Sequence, residues 1–319
     1  MERFLFKADK DIYKANLHCH TTVSDGTYTP EQIKELYQAE GYSIVAYTDH
    51  MVIKHQGHLT DDNFLALNAF ELNVDFFKEA GRYHTARTYH FIIFAPRADN
   101  VTTPEIPPLD YHDVAGINAY IAYLNREGYL VCYCHPYWSL QTYPDYIGLK
   151  GLFATEIYNH GCDREGFNGS YGEVYDDMLR AGTKLFCIAT DDNHNLEHQK
   201  LTPDNLRSDS FGGFTMINSK SLDYVDVIDA LRRGDFYASK GPSIYEITLE
   251  DNLLKVACSE SDAMIVYTDS RTVHSKVGKG MTQGIFELRG YEKYIRVECR
   301  DKEHKSAYSN AYFLTPESE

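Results

Sequence analysis

The sequence lacks the features that mark membrane proteins and nucleic-acid-binding proteins. No hydrophobic run approaches the roughly 18 apolar residues that a helix needs to cross a bilayer. No cluster of basic residues interrupts an acidic chain, in which Lys and Arg number 31, Asp and Glu number 47, and the formal charge is −16. Because nucleic-acid binding relies on a basic surface, general binding to nucleic acids is not expected. We therefore expect a soluble protein that binds neither membranes nor nucleic acids.

Paired cysteines and a secretion signal are also missing. The seven cysteines are odd in number and contain no Cys-x-x-Cys pair, which indicates free thiols in a reducing compartment. The apolar patch in residues 1–16 is only three residues long, whereas a signal-peptide core needs roughly 7–15. These features predict a cytoplasmic protein.

The first two thirds of the chain alternate strand-like and helix-like segments. The run Thr29–Gln32 has the pattern of a capping box with proline at the first helical position, and Gly41 ends the predicted helix. The apolar run 43–47 then predicts a buried strand, and the same alternation recurs at 114–135 and 171–194. This pattern favours an α/β fold with parallel strands, whose polar carboxyl ends gather at one mouth of a barrel or distorted barrel.

The pattern changes after a helix predicted at 221–233. Short alternating segments follow, including predicted strands at 253–258 and 263–267, and a turn-rich stretch at 278–280. We expect a small, all-β, sandwich-like domain over residues 238–319, after a barrel domain over residues 1–237.

Histidines and carboxylates recur beside the predicted strands. His18 and His20 have i, i+2 spacing, so on an extended strand both imidazoles project from the same side and can bind one cation. The further candidate ligands are Asp25, His50, Glu71, His90, His135, Asp192 and His194. Each alone has an ordinary structural explanation, such as a turn residue or a strand-end cap. Their recurrence at the same place in successive strand–helix units predicts one shared metal centre.

Two of these ligands have a competing neighbour. Asp191 and Asp192 both precede His194, and only Asp192 has the i, i+2 relation to it. His84 precedes His90, and His90 is preferred because it opens an apolar strand-like run.

The ordered motifs HxH, SDG, TDH, FELN, HFIIF, CHP and DxH resemble the PHP (polymerase and histidinol phosphatase) superfamily of metal-dependent phosphoesterases. The resemblance covers roughly residues 13–235. It implies a distorted (β/α)7 barrel with up to three divalent ions in its mouth, and it assigns metal ligation to the nine candidates, with Glu71 bridging two ions. The stretch LRRGDFYASKGPSIYEI and the segments after it resemble the PHP branch of carbaryl-type carbamate hydrolases, in which a small β domain follows the barrel.

The residues and the resemblance together predict a metal-dependent phosphoesterase that acts on a small phosphorylated substrate, such as a nucleotide, through a metal-bound hydroxide. Imidazole and carboxylate ligands suit two to three ions of Zn, Mn or Fe. Asp25, Glu71 and His194 are the candidate catalytic residues. Two alternatives stay open: a carbamate or carboxyl-ester hydrolase that uses the same site, and a metal-binding or regulatory module without catalysis.

Residues outside the ligand set suggest how substrate and ligands are held. Arg164, His160 and Lys240 are candidates for binding a substrate anion, although solvated surface charge also explains Arg164 and Lys240. Asp49 and Asp191 adjoin ligands, so they either orient imidazoles or cap strand ends. A homo-oligomer formed through the β region is also left open.

Overall fold

The computed structural model describes residues 2–8, 12–76, 85–202 and 205–314 as a mixed α/β protein. Its strands are β1 (Glu2–Lys7), β2 (Ile12–Asn16), β3 (Ile44–Tyr47), β4 (Leu65–Phe76), β5 (Arg87–Phe94), β6 (Leu130–Tyr133), β7 (Ala154–Asn159), β8 (Phe186–Thr190), β9 (Phe214–Asn218), β10 (Phe236–Ser239), β11 (Ile244–Glu250), β12 (Leu253–Thr268), β13 (His274–Glu287), β14 (Tyr294–Arg300), β15 (Ser306–Ser309) and β16 (Tyr312–Phe313). Its helices are α1 (Pro30–Ala39), α2 (Val114–Arg126), α3 (Tyr143–Tyr146), α4 (His160–Glu165), α5 (Gly172–Arg180) and α6 (Tyr224–Arg233). Within these ranges, no helix has both the length and the hydrophobicity to span a membrane.

The first helix forms where the sequence predicts it. The Thr29 side chain accepts a hydrogen bond from the Gln32 backbone, and the Gln32 side chain accepts one from the Thr29 N–H at 2.9 Å, which completes the capping box. Gly41 follows the helix with φ of 76°, a conformation that glycine adopts without strain. Ile33 and Tyr37 bury the apolar face of α1, so capping and packing agree.

The strands form one large mixed sheet. β2, β3 and β4 are parallel neighbours, as are β6, β7 and β8. β5 lies antiparallel between β4 and β6, and β9 lies antiparallel to β2. The prediction of parallel strands is therefore confirmed for the two triplets and wrong for β5 and β9.

The sheet curves so that β8, at one end of the hydrogen-bonded order, lies beside β9. The Thr215 hydroxyl of β9 donates to the Ala189 carbonyl at 3.0 Å and accepts from the Ala189 N–H at 3.2 Å. The Thr215 side chain therefore joins β8 to β9, whereas backbone hydrogen bonds join the neighbouring strands elsewhere in the sheet. The curvature brings the ends of β2, β3, β6 and β8 towards one another.

The C-terminal strands extend this sheet. β10 pairs with β9 on one side and with β15 on the other, so the domain boundary predicted between residues 237 and 238 falls inside β10. β1 pairs with β11, which places residues 2–7 with the C-terminal strands. The strand pairs from β10 to β15 are antiparallel, and hydrogen bonding joins them to the sheet of the first two thirds.

Two local predictions in this region are wrong. Residues 253–268 form the single strand β12, although the pattern predicts two strands, because its register shifts around Ser261 without ending the strand. The stretch 278–280 is not a chain reversal but lies inside β13, where the Gly280 N–H donates to the Asp262 side chain at 3.0 Å. The residues at which the pairing of a long hairpin is irregular can therefore have the sequence pattern of a turn.

A buried ion pair fixes the C-terminal strands to the helical side of the molecule. Arg296 of β14 binds Asp176 of α5 through two hydrogen bonds, Nε to Oδ1 at 2.6 Å and Nη2 to Oδ2 at 2.7 Å. The guanidinium carbon lies 3.8 Å from the centre of the Tyr267 ring. Both charged residues are buried, and the Arg296 charge is compensated by Asp176, which also lies 3.9 Å from the half-exposed Arg180.

Candidate metal centre

The sheet brings the nine predicted ligands into one cluster. Some of them follow the ends of parallel strands, and others lie within the paired strands β4 and β5. In the described part of the chain, the groups of side chains whose ligand atoms all lie within 4.8 Å of one another are His20, Asp25, His50 and His194; His18, Glu71 and His135; His18, His20 and Asp192; His50, Glu71 and His90; and, outside the predicted set, His18 with Cys134 and Glu156. The groups share members, which is the arrangement expected for a centre with more than one ion.

The Glu71 carboxylate lies at the middle of the cluster. Its two oxygens face different imidazoles: Oε1 is 2.7 Å from His90 Nδ1 and 3.0 Å from His135 Nε2, and Oε2 is 3.0 Å from His50 Nδ1 and 3.3 Å from His20 Nε2. Glu71 is 1% exposed. A buried carboxylate with its oxygens directed to two sets of imidazoles has the geometry of a bridging ligand.

Asp192 shows how well the residues fit a cation. Its Oδ1 lies 3.1 Å from both His18 Nε2 and His20 Nε2, and the two ring nitrogens are 3.2 Å apart. This buried oxygen has no hydrogen-bond partner within the described part of the chain. Two imidazole nitrogens and a carboxylate oxygen that converge in this way are typical ligands of a divalent transition metal.

Asp25 closes the cluster on the solvent side. Its Oδ2 lies 3.5 Å from His50 Nε2 and 3.6 Å from His194 Nε2, and its Oδ1 lies 3.5 Å from His20 Nδ1. The Asp25 side chain is 53% exposed, in contrast to the buried Glu71. This outer group is therefore the part of the cluster that a substrate reaches first.

The charges of the cluster shift its pKa values strongly. Burial lowers the pKa of His50, but Glu71 and Asp25 outweigh it and raise this pKa to about 9. Burial likewise lowers the pKa of His194, and Asp25 and Asp192 raise it to about 9. Burial raises the pKa of Glu71, yet the imidazoles around it hold this pKa well below its usual range. The carboxylates therefore stabilise positive charge close to the imidazoles. A bound cation would supply this positive charge in place of protons on the rings.

Two candidate ligands have a backbone conformation that is uncommon outside glycine. His135 has φ of 25° and Asp192 has φ of 52°. Such strained residues persist where the surrounding structure holds them, and they concentrate at functional sites.

The third residue of the Ser-Asp-Gly motif, Gly26, lies where a side chain does not fit. A Cβ at this position would lie 2.5 Å from the His20 carbonyl oxygen.

The sequence analysis missed Glu156, which orients His18. Glu156 Oε1 lies 2.8 Å from His18 Nδ1 and accepts from the Thr190 hydroxyl at 2.6 Å, while Oε2 accepts from the His135 N–H at 2.9 Å and from Asn159 Nδ2 at 3.1 Å. Its only signal in the sequence is an acidic residue among the residues of a strand-like run. A carboxylate behind a metal-ligating imidazole fixes the ring orientation and raises its basicity.

Replacement of Glu156 by Gln is expected to weaken metal affinity about 10–100-fold, as is typical for partners of metal ligands. In the described part of the chain, the Glu156 carboxylate has hydrogen-bond contacts with three donor groups and with the His18 ring. The side-chain NH₂ of Gln is itself a donor, so it would lose at least one of these hydrogen bonds. Competition with a chromophoric chelator measures the affinity. The exposed Glu173 of α5 provides a matched control, and Glu173→Gln should keep the affinity of the unchanged chain. Equal affinities in the two variants would contradict the role of Glu156.

The structure separates the two adjacent aspartates. Asp192 joins the cluster, whereas Asp191 accepts from the N–H groups of Phe211, Gly212 and Gly213 at 2.7–2.9 Å. Asp49 behaves like Asp191, because its carboxylate accepts from the Thr21 and Ser24 N–H groups. The alternatives for Asp49 and Asp191 were to orient imidazoles or to cap strand ends, and acceptance from backbone N–H groups favours the capping role. The competing His84 lies outside the described residues.

The three predicted substrate-binding residues gather around Tyr158. The Tyr158 hydroxyl lies 2.9 Å from His160 Nδ1, and Lys240 Nζ lies 3.9 Å from the centre of the Tyr158 ring. Arg164 pairs with Asp163. Burial lowers the pKa of His160 to about 4, so its ring is neutral at pH 7. None of the three is among the described residues that line the cavity at the metal cluster.

That cavity has a volume of about 300 Å³ and opens beside the candidate ligands. Its other lining residues are Trp138, Gly161, Cys162, Glu165, Leu196 and Gln199. The volume is at the lower end of the range for small-molecule sites. The arrangement can therefore hold a small substrate against a cluster of metal ligands.

Comparison with known proteins gives distant structural matches only. No family model and no curated protein matches the chain. A two-domain protein from Bacteroides vulgatus, described as containing a predicted PHP-like metal-dependent phosphoesterase, is 14% identical over 98% of both chains, with a TM-score of 0.47. A protein from Bifidobacterium adolescentis, proposed to be a metal-dependent phosphoesterase, is 15% identical over 60% of this chain and 91% of its own, with a TM-score of 0.38.

A third match is an amidohydrolase from Chromobacterium violaceum with bound sulfate and no metal, 13% identical over 56% of this chain and 78% of its own, with a TM-score of 0.28. At these identities and TM-scores, the similarity adds nothing on activity.

Proposed function

We propose that this chain is a PHP-type, metal-dependent phosphoesterase that hydrolyses a small phosphorylated molecule. The observation that carries the proposal is the buried Glu71 carboxylate, which is surrounded by imidazoles. One set of imidazoles lies near its Oε1 and another set lies near its Oε2. Imidazole and carboxylate ligands beside a small cavity are typical of metal-assisted hydrolases. The curved sheet, linked through Thr215, supports a distorted barrel as the scaffold.

The donor set suits about two to three divalent ions of Zn, Mn or Fe. Glu71 would be shared between ions, with His90 and His135 near one oxygen and His50 and His20 near the other. When bound, such ions neutralise the charge of phosphoryl oxygens and lower the pKa of water, so that water can attack phosphorus at neutral pH.

The chain's own residues divide the remaining work. Glu71 and Glu156 act from the buried side, where they fix the orientation of the imidazoles. Asp25 and His194 line the cavity and are 53% and 22% exposed, so they are placed to contact the substrate.

The test compares phosphate esters with carbamate and carboxyl esters under the same conditions. Phosphate esters are expected to be hydrolysed, the rate should fall at least about 10²-fold on treatment with a chelator, and added Zn, Mn or Fe should restore it. Turnover of carbamate or carboxyl esters alone would favour the alternative hydrolase. A fully metal-loaded protein that hydrolyses neither class would favour a metal-binding module without catalysis.

A further inference from the structure

A buried carboxylate outside the ligand set holds the backbone of one candidate ligand. Asp209 is 0% exposed. Its Oδ2 accepts from the His194 N–H at 2.7 Å and from the Asn195 N–H at 2.9 Å, and its Oδ1 accepts from Asn195 Nδ2 at 2.9 Å. Hydrogen bonds that a carboxylate accepts are stronger than those between neutral groups. Both oxygens of Asp209 thus fix two consecutive residues, the first of which is a candidate metal ligand.

Asn195 makes a turn that needs this support. Its φ of 54° lies in the left-handed region, which is uncommon outside glycine, and such a conformation persists where contacts hold it. The Asn195 side chain also donates to Ser210 Oγ at 2.8 Å and accepts from Asn193 Nδ2 at 2.9 Å. The turn that follows His194 is therefore held by side-chain contacts, which converge on Asp209 and Asn195.

The position of the His194 ring depends on how its backbone is held. The His194 N–H donates to Asp209, and its carbonyl accepts from the Thr27 N–H at 2.8 Å. The ring stacks on that of His20 with centres 4.2 Å apart, and its Nε2 lies 3.6 Å from Asp25 Oδ2. Because the members of a binding site must be held within roughly 0.5 Å of the required geometry, a shift of this backbone should impair the site.

His194 belongs to only one of the candidate ligand groups in the described part of the chain. That group, here called the outer group, consists of His20, Asp25, His50 and His194, and the other groups do not contain His194. A change that displaces His194 should therefore weaken one metal position and leave the others as they are.

We propose that Asp209 is a positioning residue of the metal centre, which presents His194 to the outer ion through the backbone of residues 194–195. This inference rests on the metal centre of the proposed function. Asp209 belongs to none of the candidate ligand groups and is not among the described residues that line the cavity, so it acts through His194 alone.

A double-mutant cycle tests this role, with Zn²⁺ as the probe and a chromophoric chelator as the competitor, on the full chain after its metal has been removed. Asp209→Asn should weaken one Zn²⁺ site about 10–100-fold and keep the affinity of the others. His194→Asn should weaken the same site at least as much. Adding Asp209→Asn to His194→Asn should cause no further loss, because the ligand on which Asp209 acts is already gone.

A second variant keeps the Asp209 carboxylate in place. Asn195→Ala removes the side-chain donor to Asp209 and puts alanine at a positive φ, so it should weaken the same Zn²⁺ site. This variant decides the question if circular dichroism shows that Asp209→Asn does not fold.

Glu292 provides the matched control. It is 2% exposed and accepts from the N–H groups of Arg289 and Gly290, each at 2.8 Å, in the connection between β13 and β14. Glu292→Gln therefore disturbs a buried carboxylate that braces a turn, but it should keep every Zn²⁺ affinity of the unchanged chain.

The outcomes separate this inference from the proposed function. Unchanged Zn²⁺ affinity in the folded variants, a loss spread over all sites, an equal loss in Glu292→Gln, or a further loss in the double variant would each overturn the inference. No Zn²⁺ binding by the unchanged chain would overturn the metal centre and the inference together. A loss confined to one site, in a chain that hydrolyses no phosphate ester, would overturn the proposed function alone.

Discussion

Replacement of His20 by Asn is expected to lower kcat for phosphate-ester hydrolysis at least about 10³-fold. His20 belongs to two of the candidate ligand groups, because its Nε2 lies near Asp192 and Glu71 while its Nδ1 faces Asp25. The loss of one imidazole therefore disturbs the inner and the outer part of the cluster together. A loss of about 4 kcal/mol of transition-state stabilisation, a typical size for a metal's contribution, corresponds to this factor.

The surface residue His58 provides a matched control for this change. His58 is exposed and pairs with Glu31 at 3.2 Å, away from the candidate ligands, so His58→Gln should keep the kcat of the unchanged chain. Circular dichroism and metal content should accompany the kinetics. A folded His20→Asn variant that keeps most of its activity would contradict the assignment of His20 as a metal ligand.

Breaking the buried ion pair between Asp176 and Arg296 is expected to lower the free energy of unfolding by about 3–5 kcal/mol. Asp176→Leu leaves the buried Arg296 charge without its partner, and Arg296→Met leaves the buried Asp176 with only the half-exposed Arg180, 3.9 Å away. The loss should appear as a lower midpoint in urea unfolding. The double variant Asp176→Leu/Arg296→Met should be more stable than either single variant, because no unpaired charge is left.

An exposed ion pair sets the scale for this comparison. Arg232 and Asp229 of α6 lie 2.7 Å apart with side chains 46% and 45% exposed, and Asp229→Asn should cost no more than about 1 kcal/mol. If Asp176→Leu costs no more than Asp229→Asn, the buried pair does not anchor β14 to α5.

The parts of the site that follow from local sequence are those at the ends of parallel strands. His18 and His20 lie in the segment that follows β2, and His135 lies in the segment that follows β6; the end of a strand can be predicted from the hydrophobic pattern alone. The i, i+2 spacing of His18 and His20 also predicts their approach, which the structure gives as 3.2 Å between the Nε2 atoms. Local periodicity and residue chemistry were sufficient here.

The parts that depend on distant pairing could not be obtained in this way. Glu71 and His90 meet because β4 and β5 are antiparallel, whereas the sequence pattern favoured parallel strands throughout. Glu156 contacts His18 from 138 positions away in the sequence. An acidic residue in a buried strand does not indicate which side chain it contacts. The pairing of β1 with β11 likewise joins strands that are far apart in the sequence. Hydrophobic periodicity predicts which residues of a strand are buried, but it does not predict which other strand pairs with it.

The most direct test of the central claim is the metal content of the full chain, measured by elemental analysis after purification without chelator and without added metal. The proposed function predicts about two to three equivalents of Zn, Mn or Fe per chain, held by the cluster around Glu71. A content near zero that reconstitution with these metals does not restore would contradict the assignment of a multinuclear hydrolytic centre.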